Sequence, residues 1–307
     1  MIIWVASYPR SGNTFFRTVL HEAFGFDTWS AYPEGAEGAG AVADVTGHRE
    51  FTPDFRLEDA AMADDPYFVK THDPPNDGRK AVYLIRDGRS AISSYYHYSR
   101  NIRGDGLRMV DAIVGRIMFG SWAAHAMSWN PRQRPDTLLI KFEELLADPQ
   151  SHYPRIQKFL GRKAKPGVTL PGFEQLQARN AKFFRSGSND GWRKDFSEDD
   201  QDLFWSLHGQ IMAEYGYCEP WAERHRAVRG AWRLAGDAER AELNAIRLQN
   251  ELTRLTATDA SVVASLPRLL DQAVAAVQNL EMRSAEHSAA VQKLVLRLSE
   301  LVGRAAA

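Results

Sequence analysis

The chain has 307 residues, 44% hydrophobic and 25% charged, with a formal net charge of −1 and a single cysteine. That composition is globular, leaves ample chain for one large α/β domain plus an extension, and excludes a global basic field for nucleic acid or any intrachain disulfide. No run of about eighteen apolar residues occurs, so no membrane span is expected; with an apolar strand read from Ile2, no leader is expected either, and the lone Cys218 suits a reducing, cytoplasmic compartment.

In chain order, Ile2 to Ala6 is an apolar run that reads as a buried strand. It breaks into the polar loop Ser7 to Thr14 and resumes at helical spacing through Phe15, Phe16, Val19 and Leu20. Strand, tight loop, helix is the architecture of an anion site, because backbone N–H groups and the helix dipole converge at the helix start. Arg10, Ser11, Gly12, Asn13 and Thr14 supply donors and room. A nucleoside-triphosphate loop would require Gly at Ser7 and Lys at Asn13, and both are absent. The loop is expected to hold a phosphate without transferring one from ATP.

Asp27 to Asp65 is rich in Gly, Ala, Pro and acids and reads as a long loop. Tyr67 to Thr71 is a second strand, ended by Pro74 and Pro75, which puts His72 on the same edge as the anion loop. Histidine suits general-base work near neutral pH, whereas a lone histidine is more often structural. Ala81 to Ile85 is a third strand, followed by a turn at Arg86–Arg89 and a helix from Ser90. Arg86 and Ser94 can face one opening if that turn folds back. Asn101 to Leu107 reads as a second loop, Thr137 to Leu145 as a late strand and helix, and Tyr153 to Leu160 as a helix. Phe184 to Phe196 is a cationic loop with two glycines and one tryptophan. From Ala238 the composition turns helix-forming. Leucines and valines from Leu248 to Leu301 follow a heptad seam, interrupted at Pro267. This is a coiled-coil tail or helical hairpin, or else amphipathic helices lying on the first domain.

Ser7-Tyr8-Pro9-Arg10-Ser11-Gly12-Asn13-Thr14-Phe15 resembles the 5′-phosphosulfate loop of sulfotransferases that use 3′-phosphoadenosine 5′-phosphosulfate (PAPS), whose form is close to T-Y-P-K-S-G-T-T-W. Arg86…Ser94-Tyr95-Tyr96-His97 matches that family's 3′-phosphate motif, and Lys70-Thr71-His72-Asp73-Pro74 matches K-T-H-x-P. Phe184 to Lys194 resembles the closing segment F-R-K-G-x-x-G-D-W-K, with Ser186 in place of lysine and Asp190-Gly191 inverted. The resemblance covers about residues 1 to 220.

It implies a P-loop-like, three-layer α/β fold with a central, mainly parallel sheet in residues 1–225, and a helical, coiled-coil-like extension over 232–307 outside the match. It implies sulfuryl transfer from PAPS to a hydroxyl acceptor, with no metal required. His72 would be the base and Arg10 the stabiliser of leaving-group charge. Arg10, Ser11, Gly12, Asn13, Thr14, Phe15, Arg86, Ser94, Phe142, Arg185, Ser186 and Gly187 would hold the nucleotide, with Phe15 and Phe142 either stacking on adenine or packing in the core. Glu22 is a lesser rival as base. A P-loop kinase would instead need the missing lysine, and a non-catalytic scaffold would not need His72. The extension would serve oligomerisation or docking to a partner.

Overall fold

The structure is a computed structural model, which describes residues 1–32, 42–52, 54–179 and 190–217. These lie in the first of two units of the chain, Met1–Cys218. The heptad region and residues 185–187 fall outside the described residues.

The elements in order are β1 (Ile2–Ser7), α1 (Asn13–Phe24), β2 (Thr28–Ser30), α2 (Ala43–Thr46), α3 (Leu57–Met62), β3 (Tyr67–Thr71), β4 (Ala81–Ile85), α4 (Gly88–Tyr98), α5 (Met109–Val114), α6 (Trp122–Trp129), β5 (Thr137–Lys141), α7 (Phe142–Ala147), α8 (Tyr153–Leu160), α9 (Phe173–Arg179) and α10 (Glu198–Glu214). The five strands form one sheet in the order β2-β3-β1-β4-β5, every neighbouring pair parallel. Every residue of β1 and β4 is buried. That is why both read as unbroken apolar runs: a parallel sheet is covered on both faces.

The period-2 alternation of each strand divides its side chains between two layers. Ile3, Val5, Phe68, Val82, Leu84, Leu138 and Ile140 join Phe16, Val19, Leu20 and Phe24 of α1 and Ile156 of α8 in one core. On the opposite face, Tyr83 packs its ring against His125 and Trp129 of α6. The expected three-layer arrangement follows. The chain leaves β1 toward β2 and β3 but leaves β4 toward β5, so adjacent β1 and β4 form a topological switch point. Open parallel sheets bind ligands at the carboxyl ends of such strands.

Three local readings need correction. The stretch Asp27 to Asp65 is not all loop: it contains β2, α2 and α3. β2 has only three residues, Thr28–Ser30, too few to set up an alternation. Helix α4 starts at Gly88 rather than Ser90, because the Asp87 carboxylate accepts the N–H of Arg89 and caps it. Asn101 lies not in a loop but in a π-helical turn, Ser99–Arg103, that continues α4.

Candidate active site

The β1–α1 loop is shaped by two left-handed residues, Arg10 at φ 64° and Gly12 at φ 93°. Gly12 precedes α1, and no side chain caps that helix. Its first N–H groups therefore face the loop's concave side, as an anion site requires. The Ser11 hydroxyl is buried and has no hydrogen-bond partner among the described residues. Asn13 behaves differently from expectation. Its side-chain amide donates to the Val5 carbonyl (2.8 Å) and the Ser7 hydroxyl (3.3 Å), stapling α1 to the end of β1. What it retains for an anion is its backbone N–H. Thr14 follows, half-buried in the first turn.

Phe142, the first residue of α7, lies over Gly12. A Cβ on Gly12 would sit 2.1 Å from the ring, so only glycine fits. Phe15 packs edge-to-face on Phe142 with ring centroids 6.5 Å apart. Phe15 belongs to the core cluster, while Phe142 is half-buried at its rim. Of the two aromatics, Phe142 alone keeps an open side.

The two phosphate motifs interlock. The Arg10 Nε donates to the Ser94 hydroxyl at 3.2 Å, and Arg86 Nη1 donates to the Arg10 carbonyl at 3.0 Å. The Arg10 guanidinium lies 5.3 Å from the centre of the Tyr98 ring, and that of Arg86 lies 4.9 Å from the centre of the Phe142 ring. One cationic wall thus joins the β1 and β4 loops across the switch point.

His72 follows β3, beside this wall. Its Nδ1 lies 2.7 Å from the Ser7 carbonyl. A carbonyl only accepts, so Nδ1 carries the proton and Nε2 keeps the basic lone pair. The Tyr32 hydroxyl accepts the N–H groups of His72 (2.5 Å) and Asp73 (3.0 Å) and meets the Thr71 hydroxyl at 3.1 Å. Burial, together with the Asp73 charge, raises the Tyr32 phenol above its ordinary value of 10, so it stays neutral. Tyr32 stacks beside the His72 ring at 6.2 Å and Phe119 meets it edge-on at 5.4 Å. Neither aromatic stood out in the sequence. Glu22 is not part of this edge: it lies nine positions after Asn13, roughly 14 Å along the axis from the first residue of α1.

Of the cationic segment, Arg185, Ser186 and Gly187 lie outside the described residues. The part that follows is a 3₁₀ turn, Gly191–Lys194, where a loop was expected. Trp192 is buried, with the Arg89 guanidinium 4.2 Å and the Arg193 guanidinium 4.5 Å from its ring. The Asp195 carboxylate accepts from the Ser93 hydroxyl (2.5 Å) and from His97 Nε2 (2.9 Å). These contacts fasten the segment to α4, the helix that carries Ser94.

Residues 2–216 match the family described as "Sulfotransferase domain". The chain is similar to the 3-alpha-hydroxysteroid sulfotransferase of Cavia porcellus, 26% identical over 163 residues that cover 44% of this chain and 57% of that protein. It is also similar to sulfotransferase 1C2 of Rattus norvegicus, 20% identical over 263 residues, 68% of this chain and 82% of that one. The matched region spans 48–60% of the length of the first curated relatives. Among solved structures, a mouse sulfotransferase complexed with adenosine 3′,5′-bisphosphate (PAP) is similar at TM-score 0.50 and 18% identity, over 70% of this chain and 88% of that one. Retinol dehydratase in complex with androsterone and PAP is similar at TM-score 0.50 and 20% identity, over 71% and 82%. These two likenesses establish the fold.

Proposed function

Because the chain belongs to the sulfotransferase domain family, we propose that it transfers the sulfuryl group of PAPS to a hydroxyl acceptor and releases PAP. One observation carries the reading: the Ser7 carbonyl that accepts the His72 Nδ1 proton closes the strand whose next turn is the anion cradle. A single peptide group sets the spacing between base and anion site. The cradle suits the 5′-phosphosulfate, since its helix start is uncapped and its buried serine hydroxyl has no partner among the described residues. Arg86, with Ser94 beside it, suits the 3′-phosphate.

In this mechanism His72 Nε2 takes the acceptor hydroxyl proton. The acceptor oxygen then bonds to sulfur as the sulfur–oxygen bond to PAP breaks, in line. Charge builds on the departing phosphate oxygen, which Arg10 and the α1 N–H groups would stabilise. Most of the acceleration is positioning and electrostatics, as in phosphoryl transfer. Tyr32 and Phe119 flank the base with aromatic surface, which suits an acceptor that carries its hydroxyl on an apolar body.

The same reading gives catalysis to residues 1–225 and oligomerisation or docking to the heptad-patterned residues 232–307. It also assumes a cytoplasmic setting, for which the single cysteine speaks. Among the described residues no helix is long and apolar enough to cross a membrane.

Titration calorimetry with PAP and ADP tests the nucleotide site: PAP is expected to bind at least about tenfold tighter, and a preference for ADP would end the reading. His72→Ala is expected to lower kcat by about 10²- to 10⁴-fold with PAP affinity unchanged, the range for a lost general base. Turnover equal to the wild type would remove His72 from that role.

A further inference from the structure

Helix α6 presents three ring N–H groups at positions 122, 125 and 129, one face of a helix. Trp122 Nε1 donates to the Arg86 carbonyl (3.1 Å), His125 Nε2 to the His72 carbonyl (3.0 Å) and Trp129 Nε1 to the Asp73 carbonyl (2.9 Å). All three side chains are almost fully buried. Their targets are the residues where β3 and β4 run out, the places at which the sheet stops dictating backbone direction.

His125 differs from its two neighbours in having a second ring nitrogen. The His72 carbonyl accepts, so Nε2 of His125 carries the proton and Nδ1 must accept. At Nδ1 stands the Tyr83 hydroxyl of β4, 2.9 Å away. The Tyr83 ring stacks on the imidazole at 5.7 Å, and Tyr8 of the cradle loop meets it edge-on at 5.9 Å. The titratable groups in contact with it are the two tyrosines and His72 itself. Burial holds the imidazole neutral, its pKa lowered from 6.5 to about 3. Its tautomer is therefore set by structure rather than by pH.

From this geometry we infer that His125 is a positioning residue for the base: the Tyr83–His125–His72 carbonyl relay, together with the Ser7 carbonyl on Nδ1, fixes where the His72 Nε2 lone pair points. The inference rests on the proposed role of His72. A ring held at its main chain from one side and at Nδ1 from the other has little freedom left. Loosening the first hold lets the ring swing off the Ser7 carbonyl and admits the Nε2–H tautomer, which cannot accept a proton at that atom.

The test compares His125→Gln, His125→Ala and Tyr83→Phe in the full chain. Glutamine keeps an N–H near the Nε2 position, alanine removes it, and Tyr83→Phe leaves the ring but removes the donor that holds it at Nδ1. Long-range ¹H–¹⁵N correlation spectra read the His72 tautomer without any acceptor. PAP calorimetry and turnover of 2-naphthol with PAPS follow. The wild type and His125→Gln are expected to show His72 as one Nδ1–H tautomer. His125→Ala and Tyr83→Phe should show a mixture, with PAP affinity unchanged. For His125→Ala, kcat should fall about tenfold to a hundredfold at constant KM, the cost of a misplaced reacting group. An unaltered His72 tautomer in both His125→Ala and Tyr83→Phe would overturn the inference. So would a parallel loss of PAP affinity and kcat in which glutamine is no better than alanine, since that marks a structural side chain only. Full turnover by His72→Ala would instead sink the base reading beneath it, whatever the spectra show.

Discussion

The β1–α1 and β4–α4 turns are built alike, each a buried parallel strand running into a helix that starts with or just after a glycine, yet they treat negative charge in opposite ways. At α1 no side chain caps the helix, and the neighbouring cations, Arg10 and Arg86, belong to loops. At α4 the chain supplies its own anion. Asp87 caps the helix through Arg89 N–H and holds the Arg89 guanidinium at Nε (3.0 Å) and Nη2 (2.5 Å), and that guanidinium faces Trp192 and Trp205. A helix start that has filled itself with a buried carboxylate cannot serve a phosphate. On the proposed reading the β4 motif would therefore recognise its anion with the Arg86 side chain, one residue before the cap, whereas β1 would recognise its anion with main chain. The two glycines differ in the same way. A Cβ at Gly12 meets Phe142 at the ligand edge, while one at Gly88 meets Trp122 at 2.8 Å in the core.

The sharpest way to break this contrast is Asp87→Ala. It strands a buried guanidinium and removes a cap, and should cost about 3–5 kcal/mol of stability in denaturant melts. PAP affinity of the folded fraction should hold. Loss of affinity without loss of stability would put Asp87 on the ligand side after all. Arg86→Ala should do the reverse. It should weaken PAP binding by about tenfold to a hundredfold, the worth of a charge-assisted contact, with little change in melting. Gly12→Ala and Gly88→Ala sharpen the comparison at equal chemical cost, each about 1–3 kcal/mol from overpacking or left-handed strain. The first is expected to appear in both PAP affinity and the melting curve and the second only in the melting curve.

The most graded effect is a slope with pH. His208, whose ring contacts Trp122 and Phe204, has its pKa lowered from 6.5 to about 4 by burial, and His125 is lowered further. A histidine held neutral in the fold protonates first in the unfolded chain. Its stabilising contribution is therefore complete above about pH 6.5 and drains away as pH falls toward 4, by up to about 1.4 kcal/mol per pH unit for each group. Melting at pH 7, 6 and 5 measures it; a flat profile would mean that the core behind α4 admits protons freely.

Much of the architecture was readable from the chain because β1 and β4 are buried along their whole length and β3 and β5 keep apolar centres, Phe68-Val69 and Leu138-Leu139-Ile140. The loop donors, His72 and Arg86 were readable because each stands immediately after such a run. The rest lay in contacts between distant residues. Asn13 looked like an anion donor until Val5 claimed its amide. Nothing local marks Tyr32, whose hydroxyl holds residues forty positions away. Trp122, His125 and Trp129 did carry a signal, a one-face helical spacing of polar-tipped aromatics. Only the sheet beneath reveals that the face points at main-chain carbonyls. Nothing local marks Asp195 either, to which α4 brings Ser93 and His97.

The central position of β1 has a consequence for how the protein comes into being. Of the sheet's five strands it is the first synthesised, yet its partners arrive late: Ile2 pairs with Tyr67 and Trp4 with Ala81. Closing such distant pairings is the slow part of folding a parallel sheet. On the ribosome the anion loop is therefore made long before it has walls. Nucleotide affinity should emerge abruptly, at the chain length that lets β3 and β4 dock on either side of a strand that has been waiting for them.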